Sequence, residues 1–250
     1  KFIAGIGIFS TFKLLAIAIF VVLLVAAIII KAPEAPTAGA SKTAAADDNT
    51  HHYTSAEMMK TSRFWIFFLW AIALNSAGLM VINSAANISV AYGGSAVLGM
   101  IVSLFNGAGR IVAGNNFDRF GRKTSSIVNN IFMIIAGALL IAGGVSHSLI
   151  LVVIGLIFVG LSYGGTPTIT SAYVNKAFGA KYFATNFSIA NFSLIPAAII
   201  GPIISAKLLE AAGGKYDSNF RALIVFTLVA LALWIGLNIA SKKSDNEDYK

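Results

Sequence analysis

The chain has 250 residues, of which 57% are apolar and 11% charged, and its mean hydropathy is +0.82. In soluble domains about a quarter of all residues are charged, so this composition excludes an ordinary globular domain and indicates a membrane protein. The net charge of +8 does not indicate nucleic-acid binding, because most Lys and Arg stand singly or in small groups beside apolar runs, where they report topology. The absence of cysteine excludes disulfides, thiol catalysis and thiolate metal sites.

Seven apolar runs are each long enough to cross a hydrocarbon core of about 30 Å as a helix. They cover residues 12–30, 64–91, 96–115, 125–145, 148–173, 184–206 and 220–240. The first run is longer than the apolar region of a signal peptide, so a spanning helix is preferred. Runs such as "IFVVLLVAAIII" do not alternate as barrel strands would. The predicted fold class is therefore an all-α polytopic membrane protein.

Residues 32–54 are rich in Ala, Thr, Pro and Asp and lack apolar periodicity, which predicts a flexible linker. Thr54 and Glu57 have capping-box spacing for a helix that starts at Ser55. A short interfacial helix, "SAEMMKTSR", would then lead into the aromatic "FWIFFLW" at the headgroup boundary.

Basic residues concentrate in alternate connections, and these connections are cytoplasmic by the positive-inside rule. This set contains Lys31, Lys42, Lys60, Arg63, Arg119, Arg122, Lys123, Lys176, Lys181, Lys242, Lys243 and Lys250. The linker and the tail, residues 242–250, are thus expected in the cytoplasm, and the protein in a plasma (inner) membrane.

The connection after the third run has a specific pattern, G-N-N-F-D-R-F-G-R-K, over residues 114–123. We expect Gly114 to permit close approach at a helix end, Asp118 to accept backbone N–H groups of a neighbouring helix, and Gly121 to make the turn. Arg119, Arg122 and Lys123 would hold the loop in the cytoplasm. The alternative is an ordinary basic loop, of which this spacing is less typical.

This pattern resembles the cytoplasmic loop motif of the major facilitator superfamily, in the copy between helices eight and nine of twelve. The resemblance implies that residues 1–31 contain helix six, 32–63 the central linker, and 64–241 the carboxy-terminal six-helix bundle. It also implies that the loop latches the two bundles together in one state of the transport cycle, with Asp118 as its central carboxylate. The amino-terminal bundle that would complete the protein is expected to be missing from this chain.

Within the superfamily the chain resembles the oxalate/formate antiporter family, through "EMMKTSRFW", "FNGAGR" and "NFSIANFSLIPAAIIGP". The resemblance implies that Arg110 binds an anionic substrate and that Tyr163 is a pocket wall. The family's second basic residue is matched here by Leu194, and Pro167 replaces an aromatic. The resemblance therefore favours a monocarboxylate over oxalate.

Arg110 also stands out without any resemblance, because an arginine in a membrane helix costs about 2.5 to 3.5 kcal/mol unless it faces a cavity or a partner. It could snorkel to the headgroups, but its polar and small neighbours Asn106, Gly107 and Gly109 indicate a face turned to protein or water. Its planar guanidinium suits a carboxylate. Asn106 and Asn191 are further candidate pocket residues; for Asn191 an interhelical hydrogen bond is the competing interpretation.

The sequence thus predicts a secondary transporter for small organic anions, of the formate, lactate and pyruvate class, that works by alternating access. One alternative is a carrier of a neutral or cationic solute in which Arg110 is structural; another is an oxalate:formate exchanger proper. We expect no metal and no cofactor, and no enzyme, because no catalytic set gathers in the runs. Proton coupling would use the missing half or the substrate carboxyl, since no acidic residue occurs at membrane depth.

Overall fold

The computed structural model describes residues 7–29 and 51–247. Every regular element among them is an α-helix. The chain divides into two units, Lys1–Thr50 and His51–Lys250. Residues 1–6, residues 30–50, which include residues 32–50 of the predicted linker, and residues 248–250 of the predicted tail lie outside the described residues.

The first unit contains one described helix, α1 (Ile8–Ile29), which is long and apolar enough to span a membrane and has no buried residue. In the second unit a short helix, α2 (Ser55–Lys60), precedes the bundle. The bundle helices are α3 (Ser62–Ile82), α4 (Ala85–Ala91), α5 (Ala96–Gly99), α6 (Ile101–Ser146), α7 (Leu149–Phe178), α8 (Phe183–Asn191), α9 (Leu194–Ala211) and α10 (Asp217–Glu247).

The capping box predicted for α2 is present. The backbone N–H of Thr54 donates to Glu57 Oε2 at 2.8 Å, and Thr54 Oγ1 accepts from the Glu57 N–H at 3.4 Å. The helix ends at Lys60, three residues before the predicted end, because the chain becomes extended at Thr61. Thr61 then caps α3 through the N–H of Phe64.

Six helices of the described residues are long and apolar enough to cross a membrane. The stretch Ala96–Ser146 is 51 residues long and is interrupted at Gly121, whose φ of 74° and ψ of −176° are not helical. Each side of Gly121 exceeds the roughly 20 residues that one crossing needs. With this stretch counted twice, the seven predicted runs are accounted for. The helix before Gly121 is longer than the predicted 96–115, since it continues through Asn116 to Phe120.

Two predicted runs are divided. The run 64–91 breaks at Asn83 and Ser84, between α3 and α4. The run 184–206 breaks between Asn191 and Leu194. Pro196 explains this second break, because it has no N–H to donate to the carbonyl of Phe192, which accepts from Ile195 at 3.0 Å instead. The break therefore lies one turn before Pro196.

Helix α3 is the most buried spanning helix and packs against α7, α9 and α10, while α6 packs against α7 and α10. Glycines bring these helices close. A Cβ on Gly155 would lie 2.8 Å from Leu140, one on Gly143 would lie 2.8 Å from Val152, and Gly137 faces Ile224. Large side chains then fill one core at the end of the bundle where α3 begins and α7 ends, among them Phe64, Phe67, Trp70, Tyr173 and Phe178.

Candidate functional site

The helix that carries Arg110 is held tightly against α7. A Cβ on Gly160 would lie 2.5 Å from the Val102 carbonyl oxygen, Gly164 faces the Asn106 carbonyl oxygen, and Gly109 faces the Leu161 carbonyl oxygen. Backbone meets backbone at all three points, so these glycines are needed for the approach. These glycines therefore serve the packing of α6 against α7.

Arg110 and Tyr163 lie on adjoining turns of α6 and α7, because Gly109 beside Arg110 faces the Leu161 carbonyl oxygen and Gly164 beside Tyr163 faces the Asn106 carbonyl oxygen. Tyr163 in turn lies against α3, where a Cβ on the buried Gly78 would come within 2.7 Å of Tyr163 Cδ2. The pair thus lies where α3, α6 and α7 meet. Arg110 is exposed, Tyr163 is half-buried, and no carboxylate of the described residues forms an ion pair with Arg110.

The two asparagines lie in different places. Asn106 is half-buried one turn before Arg110, and its Oδ1 is buried beside Gly164 without a hydrogen-bond partner among the described residues. Asn191 is the last residue of α8, next to the break, on a helix that carries neither Arg110 nor Tyr163. The described geometry thus unites Arg110, Tyr163 and Asn106 on the α6–α7 pair and leaves Asn191 on a separate helix.

A buried polar network, which was not predicted, links the second half of α6 to α7. Asn129 Nδ2 donates to Thr166 Oγ1 at 3.1 Å, and Ser162 Oγ donates to the Asn129 carbonyl at 2.8 Å. Ser125 Oγ reaches back to the Ala113 carbonyl at 3.1 Å, across the two halves of α6. Each of these side chains stands in an apolar run, so single polar residues were the signal that could have revealed the network.

The residues of the loop motif separate into two groups. Gly121 makes the predicted turn, and Arg122 is half-buried with its guanidinium over the Tyr173 ring at 5.7 Å. Asp118, Arg119 and Lys123 are exposed. Arg122 therefore contacts its own bundle, while the exposed charges are accessible to a partner.

Gly114 does not have the expected close contact within the described residues. A Cβ there would lie 3.5 Å from Thr168 Cγ2, which is an ordinary van der Waals distance. The helix also does not end near Gly114, because it continues to Gly121. Close approach at this position would need an element outside the described residues.

The segment just before α3 is hydrogen-bonded to the C-terminal end of α7 and to the first turn of α8, a feature that the sequence did not indicate. The Tyr53 N–H donates to the Phe178 carbonyl at 3.0 Å, and Asn186 Nδ2 donates to the Tyr53 carbonyl at 2.9 Å. Ser55 Oγ donates to Asn186 Oδ1 at 2.8 Å. The Arg63 guanidinium lies over the rings of Tyr53 and Phe178, at 4.8 and 5.0 Å. We call this set of contacts the linker anchor.

The fold and these sites define a polytopic helical membrane protein that places the exposed Arg110 near Tyr163 in its spanning helices. The chain belongs to the Major Facilitator Superfamily, whose family model matches residues 2–194 and 75–248. It is therefore an integral membrane transporter that moves a small solute across a bilayer. No curated protein matches the chain significantly.

Proposed function

We propose that this transporter carries small organic anions, and that monocarboxylates of the formate, lactate and pyruvate class are its preferred substrates. The observation that carries the proposal is the position of Arg110, an exposed guanidinium in an apolar helix that has no carboxylate partner among the described residues. A charge in such a helix is costly unless water or a counter-ion meets it. A substrate carboxylate would supply that counter-ion.

The chemistry of Arg110 suits this task. Its guanidinium is always ionised and can hold a carboxylate through two parallel hydrogen bonds, which a lysine cannot do. Tyr163, on the adjoining turn of α7, would donate its hydroxyl or close one side of the pocket, and its ring lies against Gly78 of α3. Asn106 would line the pocket one turn away from Arg110.

A single basic residue favours one negative charge on the substrate. Leu194 occupies the position where the oxalate/formate antiporter resemblance implies a second basic residue. A dicarboxylate would therefore place one of its charges in the span without compensation. Oxalate:formate exchange is the second candidate within this proposal, and a neutral or cationic solute is the alternative in which Arg110 serves structure alone.

In this proposal residues 64–241 form the carboxy-terminal bundle of the transporter, which would rock against an amino-terminal bundle in a plasma membrane. Asp118, Arg119 and Lys123 would be the latch at the bundle interface, since they are exposed, whereas Gly121 and Arg122 shape the turn that presents them. Gly114 would meet the partner bundle, since a Cβ there would make only an ordinary contact inside its own.

Carboxylate uptake by Arg110 variants of the complete transporter tests the proposal. Loss of two charge-assisted hydrogen bonds, at about 1.5 kcal/mol each or more, predicts an apparent affinity at least about 100-fold weaker for Arg110→Gln. The apparent affinity of Arg110→Lys should lie between those of Arg110→Gln and the wild type, because lysine retains the positive charge but cannot form the two parallel hydrogen bonds. Lys176→Gln, which removes an exposed charge at the end of α7, is the matched control and should be unchanged.

The substrate panel should contain formate, lactate, pyruvate, oxalate, a sugar and an amine. If only the monocarboxylates of this panel inhibit carboxylate uptake, the proposal is supported. If oxalate also inhibits uptake, the oxalate:formate exchanger is favoured. Unchanged uptake in both Arg110 variants at normal expression, or transport of the sugar or amine alone, would overturn it.

A further inference from the structure

A cavity lies at the end of the bundle opposite the linker anchor, where α4, α6 and α10 come together. Its volume is about 390 Å³. Six polar or charged residues line it: Tyr92, His147, Lys215, Tyr216, Asp217 and Arg221. None of them belongs to the proposed substrate site. We call this cavity the loop pocket.

Three local backbone features build the loop pocket. Gly213 and Gly214 both have left-handed φ values, 60° and 87°, which turn the chain sharply after α9 and bring Lys215 to the pocket. His147 ends α6 in the same left-handed region, with φ of 51°. Gly144 keeps one wall free, because a Cβ there would lie 2.8 Å from Asp217 Oδ1 and 3.3 Å from the Tyr92 hydroxyl oxygen.

The charges of the loop pocket favour an anion. Lys215 and Arg221 are exposed, and neither forms an ion pair with a carboxylate of the described residues. Asp217 is the acidic residue of the lining, so the fixed charges sum to one positive charge with His147 neutral. Burial raises the pKa of Tyr92, with Asp217 as a second cause, and burial also raises the pKa of Tyr216. Both phenols therefore remain protonated hydrogen-bond donors.

The remaining surface favours an amphiphile over a free ion. Ile141 and Val145 form an apolar side of the loop pocket, and Val145 is 78% exposed. Val225, which lies on the Arg221 face of α10 one turn further along, is 59% exposed. It begins a wholly apolar groove of about 400 Å³ between α3 and α10, which also includes Leu69 and Leu233. A small hydrophilic anion would gain nothing from these apolar surfaces.

We propose that the loop pocket binds the phosphodiester headgroup of an anionic phospholipid, with Arg221 and Lys215 as its basic partners and an acyl chain along the apolar face of α10. The pocket lies at the ends of spanning helices, where headgroups lie and where Tyr92 and Tyr216 match the tyrosine enrichment of membrane interfaces. This proposal does not depend on which solute is transported.

Native mass spectrometry of the complete transporter tests it, with the protein in detergent that contains equal amounts of phosphatidylglycerol and phosphatidylcholine. The wild type should retain phosphatidylglycerol preferentially. Arg221→Gln should lower the retained fraction about fivefold, and the double variant with Lys215→Gln about 25-fold. Arg221→Lys should retain the lipid. Lys207→Gln, on α9 outside the pocket, is the control and should match the wild type.

Gly144→Ala tests the same site without changing its charge, because its methyl group would intrude between Asp217 and Tyr92. It should also lower phosphatidylglycerol retention. Equal retention of the two lipids by the wild type, or unchanged retention in the double variant, would overturn the proposal. So would displacement of the lipid by millimolar inorganic phosphate, which would make the pocket a site for a free anion.

Discussion

Replacement of Gly160 by alanine tests whether the close contact between α6 and α7 supports the candidate substrate site. The added Cβ would lie 2.5 Å from the Val102 carbonyl oxygen, 3.1 Å from Phe105 Cβ and 3.2 Å from the Asn106 amide nitrogen. Ordinary contacts begin at 3.4 Å, so the helices must separate by up to about 0.9 Å to relieve the 2.5 Å contact. Two of the three neighbours are backbone atoms and cannot rotate away.

The expected cost is that of overpacking, about 1 to 3 kcal/mol. Gly236→Ala is the matched control, because it makes the same chemical change in a spanning helix and its Cβ would meet only Ile66 Cγ2, at 4.0 Å. The gain in helix propensity, about 1 kcal/mol, is common to both variants and cancels in the comparison.

Thermal unfolding of the purified protein in one detergent is the measurement. A difference of 1 to 3 kcal/mol corresponds to a Tm of the Gly160 variant roughly 3 to 10 °C below that of the Gly236 variant. The separation of α6 from α7 should also move Arg110 away from Tyr163 and weaken substrate binding. Equal Tm values for the two variants would refute the conclusion that this contact is tight.

Two predictions concern the region before α3. Asn186→Ala removes the hydrogen bonds to Tyr53 and Ser55, at about 1 kcal/mol each, and should speed amide exchange in residues 51–60 at least tenfold, whereas unchanged exchange would contradict the linker anchor. The second prediction concerns Glu57, whose pKa is held below its ordinary value of 4.5 by hydrogen bonds from the Thr54 backbone and side chain. The stabilisation of the cap by the Glu57 carboxylate is therefore complete above pH 4.5 and is lost as the pH falls through the lowered pKa. Hydrogen-exchange protection of the Thr54 amide, corrected for intrinsic exchange, should therefore fall in acid in the wild type. In Glu57→Gln, which retains a hydrogen-bond acceptor that does not titrate, the protection should not change with pH. Identical pH profiles for the two proteins would show that the carboxylate is not the cap.

The features that sequence alone could predict are those that depend on short stretches of chain. The spanning runs follow from the length of apolar sequence that crosses a bilayer, the start of α2 from the three-residue spacing of Thr54 and Glu57, and the turn at Gly121 from a residue that tolerates a positive φ. The major facilitator fold was likewise predicted from the loop pattern, and the family match confirms it.

Helix lengths and breaks were predicted less well. The continuation of the helix from Gly114 to Phe120 and the breaks after Ile82 and Asn191 depend on backbone hydrogen bonds that apolar content does not specify. Composition shows where a helix can cross the membrane. Pro196 and the carbonyl of Phe192 decide where the α8–α9 helix breaks.

The sites were decided by tertiary structure, because their members are far apart in the chain. Arg110 could be singled out by the cost of a charge in an apolar run, but Tyr163 is placed on the adjoining turn by three backbone contacts between α6 and α7. The bonds of Asn186 to Tyr53 and Ser55 join residues more than 130 positions apart. Local chemistry determines which helices form and where the chain turns, whereas the packing of glycine against backbone determines which side chains meet.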